Sequence, residues 1–168
     1  MFLKVLMLKQ DDPRKCSAAK LVKFGLAKPV TRTISRTLIL NPFSKKILLK
    51  SDKKFVNSIT GIDCSWNLVT SAFKKPFTGI SRKLPPLLAG NPMNYSKLNK
   101  LSTVEALAGA VYILGEPELT HTLLKKFKWG NTFFELNKNL LQDYSKAQSG
   151  SEILEICHEY RLANAQFM

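Results

Sequence analysis

Apolar positions in the first half of the chain come in short unbroken runs, whereas those in the second half recur at helical spacing, so strands are predicted first and helices afterwards. Phe2 to Leu8 is a strand-length run interrupted only by Lys4, and Gln10-Asp11-Asp12-Pro13 ends it with turn chemistry. Cys16 to Ala27 sets Ala19, Leu21, Val22, Phe24 and Leu26 among lysines and predicts a helix stopped by Pro29. Thr37 to Leu40 is the second predicted strand, with Asn41-Pro42 turning the chain at its carboxyl end. A short helix over Ser51 to Ser58 and a third strand over Ile59 to Cys64 follow, and Asn67 to Phe73 begins another helix. Lys74, Lys75, Arg82 and Lys83 then lie in a long loop that Pro76, Gly79, Pro85 and Pro86 keep irregular. Leu87-Leu88-Ala89-Gly90-Asn91-Pro92 repeats the pattern of the second strand, which predicts two strand ends, each turned by Asn-Pro, lining one crevice.

From Ser102 the reading is helical. Ser102-Thr103-Val104-Glu105 is a capping box, in which Ser102 accepts from the amide three residues on and Glu105 reaches back to the Ser102 amide. Val104, Leu107, Ala108, Val111 and Leu114 share one helical face, and Gly115 with Pro117 closes the element. Helices over Thr120 to Phe127 and Thr132 to Tyr144 are expected next, broken by Trp129-Gly130, and a last helix over Ser151 to Ala165 with Ser151 as its cap. Trp129, Phe133 and Phe134 read as packing residues of this helical part. The predicted class is α/β: a basic lobe of residues 1–88 with a parallel sheet, and an all-helical lobe of residues 89–168.

At 168 residues the chain has length for one compact domain or two small lobes on a shared core. Charge changes the picture more than composition does. The formal net charge is +14, and residues 1–88 hold 18 Lys/Arg against 4 Asp/Glu while residues 89–168 hold 8 of each. A basic field of this size attracts polyanions, so RNA or DNA is the expected partner and an anionic membrane surface the second. Arg14, Lys15, Lys20 and Lys23, with Lys74, Lys75, Arg82 and Lys83, are the candidate phosphate contacts, provided that the first helix and the long loop share a face. No apolar run approaches the roughly 18 residues of a membrane span. Cys16, Cys64 and Cys157 are odd in number and widely spaced, which suits a reducing, cytoplasmic setting and no metal.

No phosphate loop, dinucleotide fingerprint or hydrolase triad can be assembled. What remains is a set of strand-end loops: Cys16-Ser17, Leu40-Asn41-Pro42, Ile62 to Trp66, Leu88 to Tyr95 and Leu101 to Glu105. They supply apolar walls, backbone polar groups, hydroxyls and the Asp63 carboxylate, an inventory that suits a nucleoside with a polar tail. Each piece has a plainer reading: Trp66 as a core residue on a strand-to-helix turn, Asp63 and Ser102-Thr103 as caps, Asn-Pro as a turn.

Asp12-Pro13-Arg14-Lys15-Cys16-Ser17, Leu40-Asn41-Pro42, Asp63-Cys64-Ser65-Trp66, Leu88 to Tyr95, Lys100 to Leu107 and Phe127-Lys128-Trp129-Gly130 together resemble, in order and over nearly the whole chain, the ribosome-biogenesis family of small-subunit rRNA aminocarboxypropyltransferases. The resemblance implies a fold similar to the SPOUT class of RNA methyltransferases, with a deep trefoil knot around the site between the lobes. It implies S-adenosylmethionine as donor, its 3-amino-3-carboxypropyl chain as the group moved, and N3 of a modified uridine or pseudouridine in small-subunit rRNA as acceptor. By the same resemblance Leu40, Pro42, Trp66, Leu88, Leu101 and Ala106 form the adenine and methyl-side pocket, with Ser102 and Thr103 beside them. The Ile62 backbone is implied at the ribose, Ser17 at the donor carboxylate, and Asp63 near the reacting centre as a base or as a positioning group. Ser17 for Thr, Ala18 for Gly, Ser96 for Gly and Asn131 for His depart from the family pattern, although Ser17 keeps the hydroxyl. A monomer acting on rRNA or a pre-ribosomal particle, away from membranes, is expected. Methyl transfer to RNA and a non-catalytic RNA-binding assembly factor stay open as alternatives.

Overall fold

A computed structural model of the chain describes residues 1–10, 12 and 14–162. Among the described residues five strands form one parallel sheet: β1 (Phe2–Met7), β2 (Lys28–Pro29), β3 (Thr37–Leu40), β4 (Ser58–Asp63) and β5 (Ile80–Arg82), in the order β2-β1-β4-β3-β5. The register sets Met7 beside Asp63 and Leu40 beside both Gly61 and Arg82, so the carboxyl ends of β1, β4 and β3 are neighbours. All four residues of β3 are buried, as a parallel strand covered on both faces requires. The hydroxyls buried with it satisfy one another: Ser58 Oγ donates to Thr37 Oγ1 at 2.9 Å, and Thr37 and Thr60 share a 2.8 Å bond.

The helices are α1 (Ser17–Lys23), α2 (Val69–Ala72), α3 (Thr103–Ile113), α4 (Pro117–Leu124), α5 (Gly130–Tyr144) and α6 (Gly150–Glu159). α3 is buried nearly all round, through Val104, Glu105, Leu107 to Val111 and Ile113, because it packs against α1, α4, α5 and β4. Its approach to the sheet depends on Gly61, where a Cβ would stand 3.1 Å from the Thr103 methyl and 3.5 Å from the Leu107 side chain. Sheet and helices contribute to one apolar cluster that runs from Val5 and Ile59 through Leu107 to Phe133 and Tyr144. Among the described residues no helix is long and apolar enough to cross a membrane.

Several local expectations are corrected. α1 ends at Lys23, because Gly25 adopts φ 68°, and Lys28–Pro29 pairs with β1 where a helix stop was expected. The loop expected to be irregular contains β5, which joins the free side of β3, since its proline and glycine residues flank Ile80–Arg82 and leave that stretch free to pair. Leu87 to Asn91 forms no strand; its sheet-like contact is a single antiparallel bridge between Leu88 and Leu98. Helix α4 begins at Pro117, whose fixed φ suits a first turn, and α5 begins at Gly130. The last helix is capped by Ser149, whose hydroxyl accepts from the Glu152 amide, and ends at Glu159; positions 163–165 of the expected helix, like Asp11 and Pro13 of the first turn, lie outside the described residues.

Candidate functional site

The acid at the end of β4 is held from two other elements. Asp63 accepts from the Thr103 hydroxyl at 2.7 Å and from the Cys16 thiol at 3.1 Å, so the start of α3, the cap of α1 and the central strand meet at one carboxylate. Cys16 also caps α1, its sulfur accepting from the Ala19 amide. Partial burial, with the Asp63 carboxylate beside it, pushes the Cys16 thiol up to about 11, which keeps it a proton donor to Asp63 at neutral pH. Ser17 Oγ accepts from the Val104 amide at 3.2 Å, a second tie between α1 and the first turn of α3.

Beyond Asp63 the chain forms a shelf. Cys64, Ser65 and Trp66 are half-buried, and the Trp66 indole donates to the Leu101 carbonyl at 3.0 Å. Trp66 is therefore no core residue: its ring bridges the end of β4 to the loop before α3, with Lys100 Nζ 4.8 Å from its centroid. The Ser65 amide is taken by Gln10, which fixes the shelf from the β1 side.

The loop before α3 is organised by Glu105. Its carboxylate, with no exposed surface, accepts from the Gly90 amide at 2.7 Å, the Asn91 amide at 3.0 Å, Asn91 Nδ2 at 2.7 Å, the Ser102 amide at 2.7 Å and Ser102 Oγ at 2.8 Å. The predicted capping box is thus present, with Glu105 reaching back to the Ser102 amide, and the Ser102 hydroxyl also donates to the carboxylate. Asn91 completes its own turn by accepting from the Asn94 amide. Asn137 of α5 holds the same loop further back, accepting from the Leu88 amide and donating to the Leu88 carbonyl, both at 2.8 Å.

Of the residues predicted for the pocket, Ser17, Asp63, Trp66, Leu101, Ser102 and Thr103 are joined directly by these bonds or by chain neighbours within them. Leu40 reaches them through its register with Gly61, with Pro42 just beyond the strand end; Ile62 lies within β4, Ala106 in the first turns of α3, and Leu88 on the loop that Asn137 holds. Leu40 and Leu101 are almost wholly covered, whereas Pro42, Ile62, Leu88 and Ala106 keep part of their surface open. The set offers apolar surface beside one carboxylate and several hydroxyls, and those donor groups fit the adenosine and amino-acid ends of S-adenosylmethionine.

The basic candidates divide. Arg14, Lys15, Lys20 and Lys23 are exposed around α1, and Arg14 closes back on Asp12 at 3.2 Å. Lys74 and Lys75 are exposed on the segment leading into the edge strand β5, whereas α1 packs on β1 and α3. Arg82 is engaged within the fold: its guanidinium grips Asp52, with Nε 3.0 Å from both carboxylate oxygens and Nη2 2.8 Å from Oδ1, and both side chains are largely covered. Lys83 is half-buried in a parallel bridge with Ile47, and burial lowers its ammonium below the ordinary lysine range. Glu105 and Asn137 as loop anchors, and the Thr103 and Cys16 bonds to Asp63, are not readable locally. The capping-box spacing is the one signal that marks Glu105, and it names only one of the carboxylate's partners.

The family model described as "Ribosome biogenesis protein, C-terminal" matches residues 38–161. A proteins named "16S rRNA aminocarboxypropyltransferase" from Methanococcoides burtonii is 40% identical over 163 residues, which cover 94% of each chain. One of the same name from Sulfurisphaera tokodaii is 43% identical over 152 residues, 89% of each. The solved structure of the SAM-dependent rRNA:acp-transferase Tsr3 from Vulcanisaeta distributa superposes with a TM-score of 0.81 at 35% identity, covering 96% of this chain and 91% of that one. A model described as "Possible Fer4-like domain in RNase L inhibitor, RLI" matches residues 4–33. That segment holds a single cysteine, Cys16, already bonded to Asp63, which does not fit the four thiolates an iron–sulfur cluster takes.

Proposed function

The chain belongs to the ribosome-biogenesis family of 16S rRNA aminocarboxypropyltransferases, and from that premise we propose how its own residues carry out the transfer. It is an S-adenosylmethionine-dependent enzyme that moves the 3-amino-3-carboxypropyl group to small-subunit rRNA during ribosome biogenesis. The acceptor in this reading is N3 of a modified uridine or pseudouridine, in free rRNA or a pre-ribosomal particle. The enzyme acts in the cytoplasm as a single chain, a reading supported by both walls of the pocket coming from one chain. The observation that carries it is the meeting of Asp63, Thr103, Cys16 and Trp66 at the carboxyl end of β4, the position at which open parallel sheets bind ligands.

As donor substrate, S-adenosylmethionine supplies a sulfonium that activates the carbon under attack. N3 of the acceptor loses its proton and forms a bond to that carbon as the carbon–sulfur bond breaks, and the electron pair stays on sulfur in neutral methylthioadenosine. Trp66, Leu40, Pro42, Leu88, Leu101 and Ala106 hold the adenine and methyl side, which leaves the aminocarboxypropyl carbon toward the RNA, so selectivity is a matter of orientation. Ile62 offers its backbone to the ribose, and Ser17, Ser102 and Thr103 line the amino-acid end. Asp63 takes the acceptor proton or steers the imide, its orientation set by the Thr103 and Cys16 donors. Arg14, Lys15, Lys20, Lys23, Lys74 and Lys75 contact RNA phosphates.

We further read residues 1–88 and 89–168 as two lobes with the donor between them, and the backbone as a SPOUT-like deep trefoil knot. Support comes from the strand order β2-β1-β4-β3-β5 and from the segment after β5, which leaves the sheet edge and returns to the central strand at Gly61 and Asp63.

Two labels on the donor test the proposal. Counts in small-subunit rRNA from the carboxypropyl carbons, with none from the methyl, are expected. Counts from the methyl alone identify a methyltransferase, and none from either identifies an RNA-binding assembly factor; both overturn the reading.

A further inference from the structure

Three phenylalanines pack on one another outside the core. Phe43 follows Pro42 at the end of β3, while Phe73 and Phe77 come from the segment between α2 and β5. Their ring centroids lie 6.0 Å apart for Phe43 and Phe73 and 5.5 Å for Phe73 and Phe77, both edge to face. None of the three belongs to the apolar cluster that unites sheet and helices, and Phe43 keeps 46% of its surface exposed. Scattered apolar residues on a surface need no account, but a contiguous set of rings does. Their surroundings are cationic. Lys45, Lys46, Lys74 and Lys75 are exposed on the same two segments, and none of them enters an ion pair among the described residues. Residues 13–51 and 64–104, which include both segments, contain no Asp or Glu.

We propose that Phe43, Phe73 and Phe77 form a stacking platform for unpaired nucleotides of the substrate RNA, with Lys45, Lys46, Lys74 and Lys75 around it for the phosphates. The proposal rests on the reading of the chain as an enzyme acting on RNA. Ring faces and edges bind bases without sequence preference, and they reach them only where bases are unstacked, so the occupant is a single strand or a loop and not a duplex. Charge selects RNA over an apolar protein partner, because the cations on both segments have no carboxylate of their own to satisfy. Phe43 directly follows Pro42 of the proposed donor wall, so nucleotides stacked on the platform flank the one presented for modification.

Fluorescence anisotropy with a labelled oligouridylate of about twelve nucleotides, against a duplex RNA of equal length, tests this. Phe43→Leu with Phe77→Leu keeps apolar bulk and removes two π faces; the oligouridylate should bind roughly tenfold more weakly or worse, with its salt slope and the duplex affinity unchanged. The tyrosine pair at the same positions should bind as the parent does. S-adenosylmethionine titration should be unchanged in every variant. Full oligouridylate affinity in the leucine pair overturns the proposal, as does an equal loss on duplex. So does loss of S-adenosylmethionine binding in that pair, which makes the rings packing elements, or self-association of the parent that the leucine pair abolishes. A chain that transfers no label yet binds through these rings keeps the platform and loses the enzymatic reading. One that transfers label with full RNA affinity in the leucine pair does the reverse.

Discussion

Gly90 and Glu105, separated by 15 positions, are joined by a 2.7 Å bond from the glycine amide to a carboxylate that has no contact with solvent. That carboxylate also takes Asn91 and Ser102, so one side chain sets the distance between the loop before the helical segment and the start of α3. Glu105→Gln replaces one acceptor oxygen by a donor that faces donors. Urea unfolding should show a loss of about 2–4 kcal/mol. The affinity for S-adenosylmethionine, measured by calorimetry at a temperature where the variant is folded, should fall as well; unchanged affinity would separate Glu105 from the pocket.

Trp66 is bonded to Leu101 across the proposed donor site. Trp66→Ala should weaken S-adenosylmethionine binding by about tenfold or more, because a large apolar face is lost. Trp66→Phe, which keeps a ring but no donor for Leu101, should fall between. Equal binding by all three proteins in a titration would contradict the pocket.

For Asp63, single-turnover transfer with saturating donor is the deciding measurement. Asp63→Asn should slow it by roughly a hundredfold or more if the carboxylate takes the proton. Thr103→Val removes an orienting hydroxyl and should slow it less. An unchanged rate in Asp63→Asn removes the base role and leaves positioning.

The Cys16 thiol makes stability depend on pH in the alkaline range. Its folded value of about 11 lies above the ordinary 9.0, so between these values the folded chain holds a proton that the unfolded chain has released. The contribution is full below pH 9.0 and is lost as pH rises toward 11. Tyr144 and Cys157, both raised chiefly by burial, act with the same sign. Cys16→Ser should therefore flatten the decline without abolishing it, as read from thermal melts across this window.

Arg82 and Lys74 should separate by kind of effect. Arg82→Ala strands Asp52, a buried carboxylate that also accepts from the Leu49 amide, and should cost about 3 kcal/mol in urea unfolding. Its effect on the salt dependence of RNA binding should be nil. Lys74→Ala with Lys75→Ala should leave stability within about 0.5 kcal/mol and lower the salt slope by about 1.4.

What the sequence determined by itself is local. The runs at Phe2–Met7, Thr37–Leu40 and Ser58–Asp63 are strands because each is short, apolar and bounded by turn chemistry, and α3 starts at the serine and glutamate of its capping box. The six motifs in order also carried the family. β5 was hidden because three residues flanked by Pro and Gly have no period of their own; pairing with β3 makes them a strand. Arg82 read as a phosphate contact because a charge run shows its sign and not its partner, and Asp52 is 30 positions away. The same limit applies at the site. Cys16, Asp63 and Thr103 are separated by 47 and 40 positions, and what brings them together is the absence of a side chain at Gly61, which lets α3 settle on β4. Hydrogen bonds between distant segments depend on how the sheet and helices pack, and only the tertiary structure decides that.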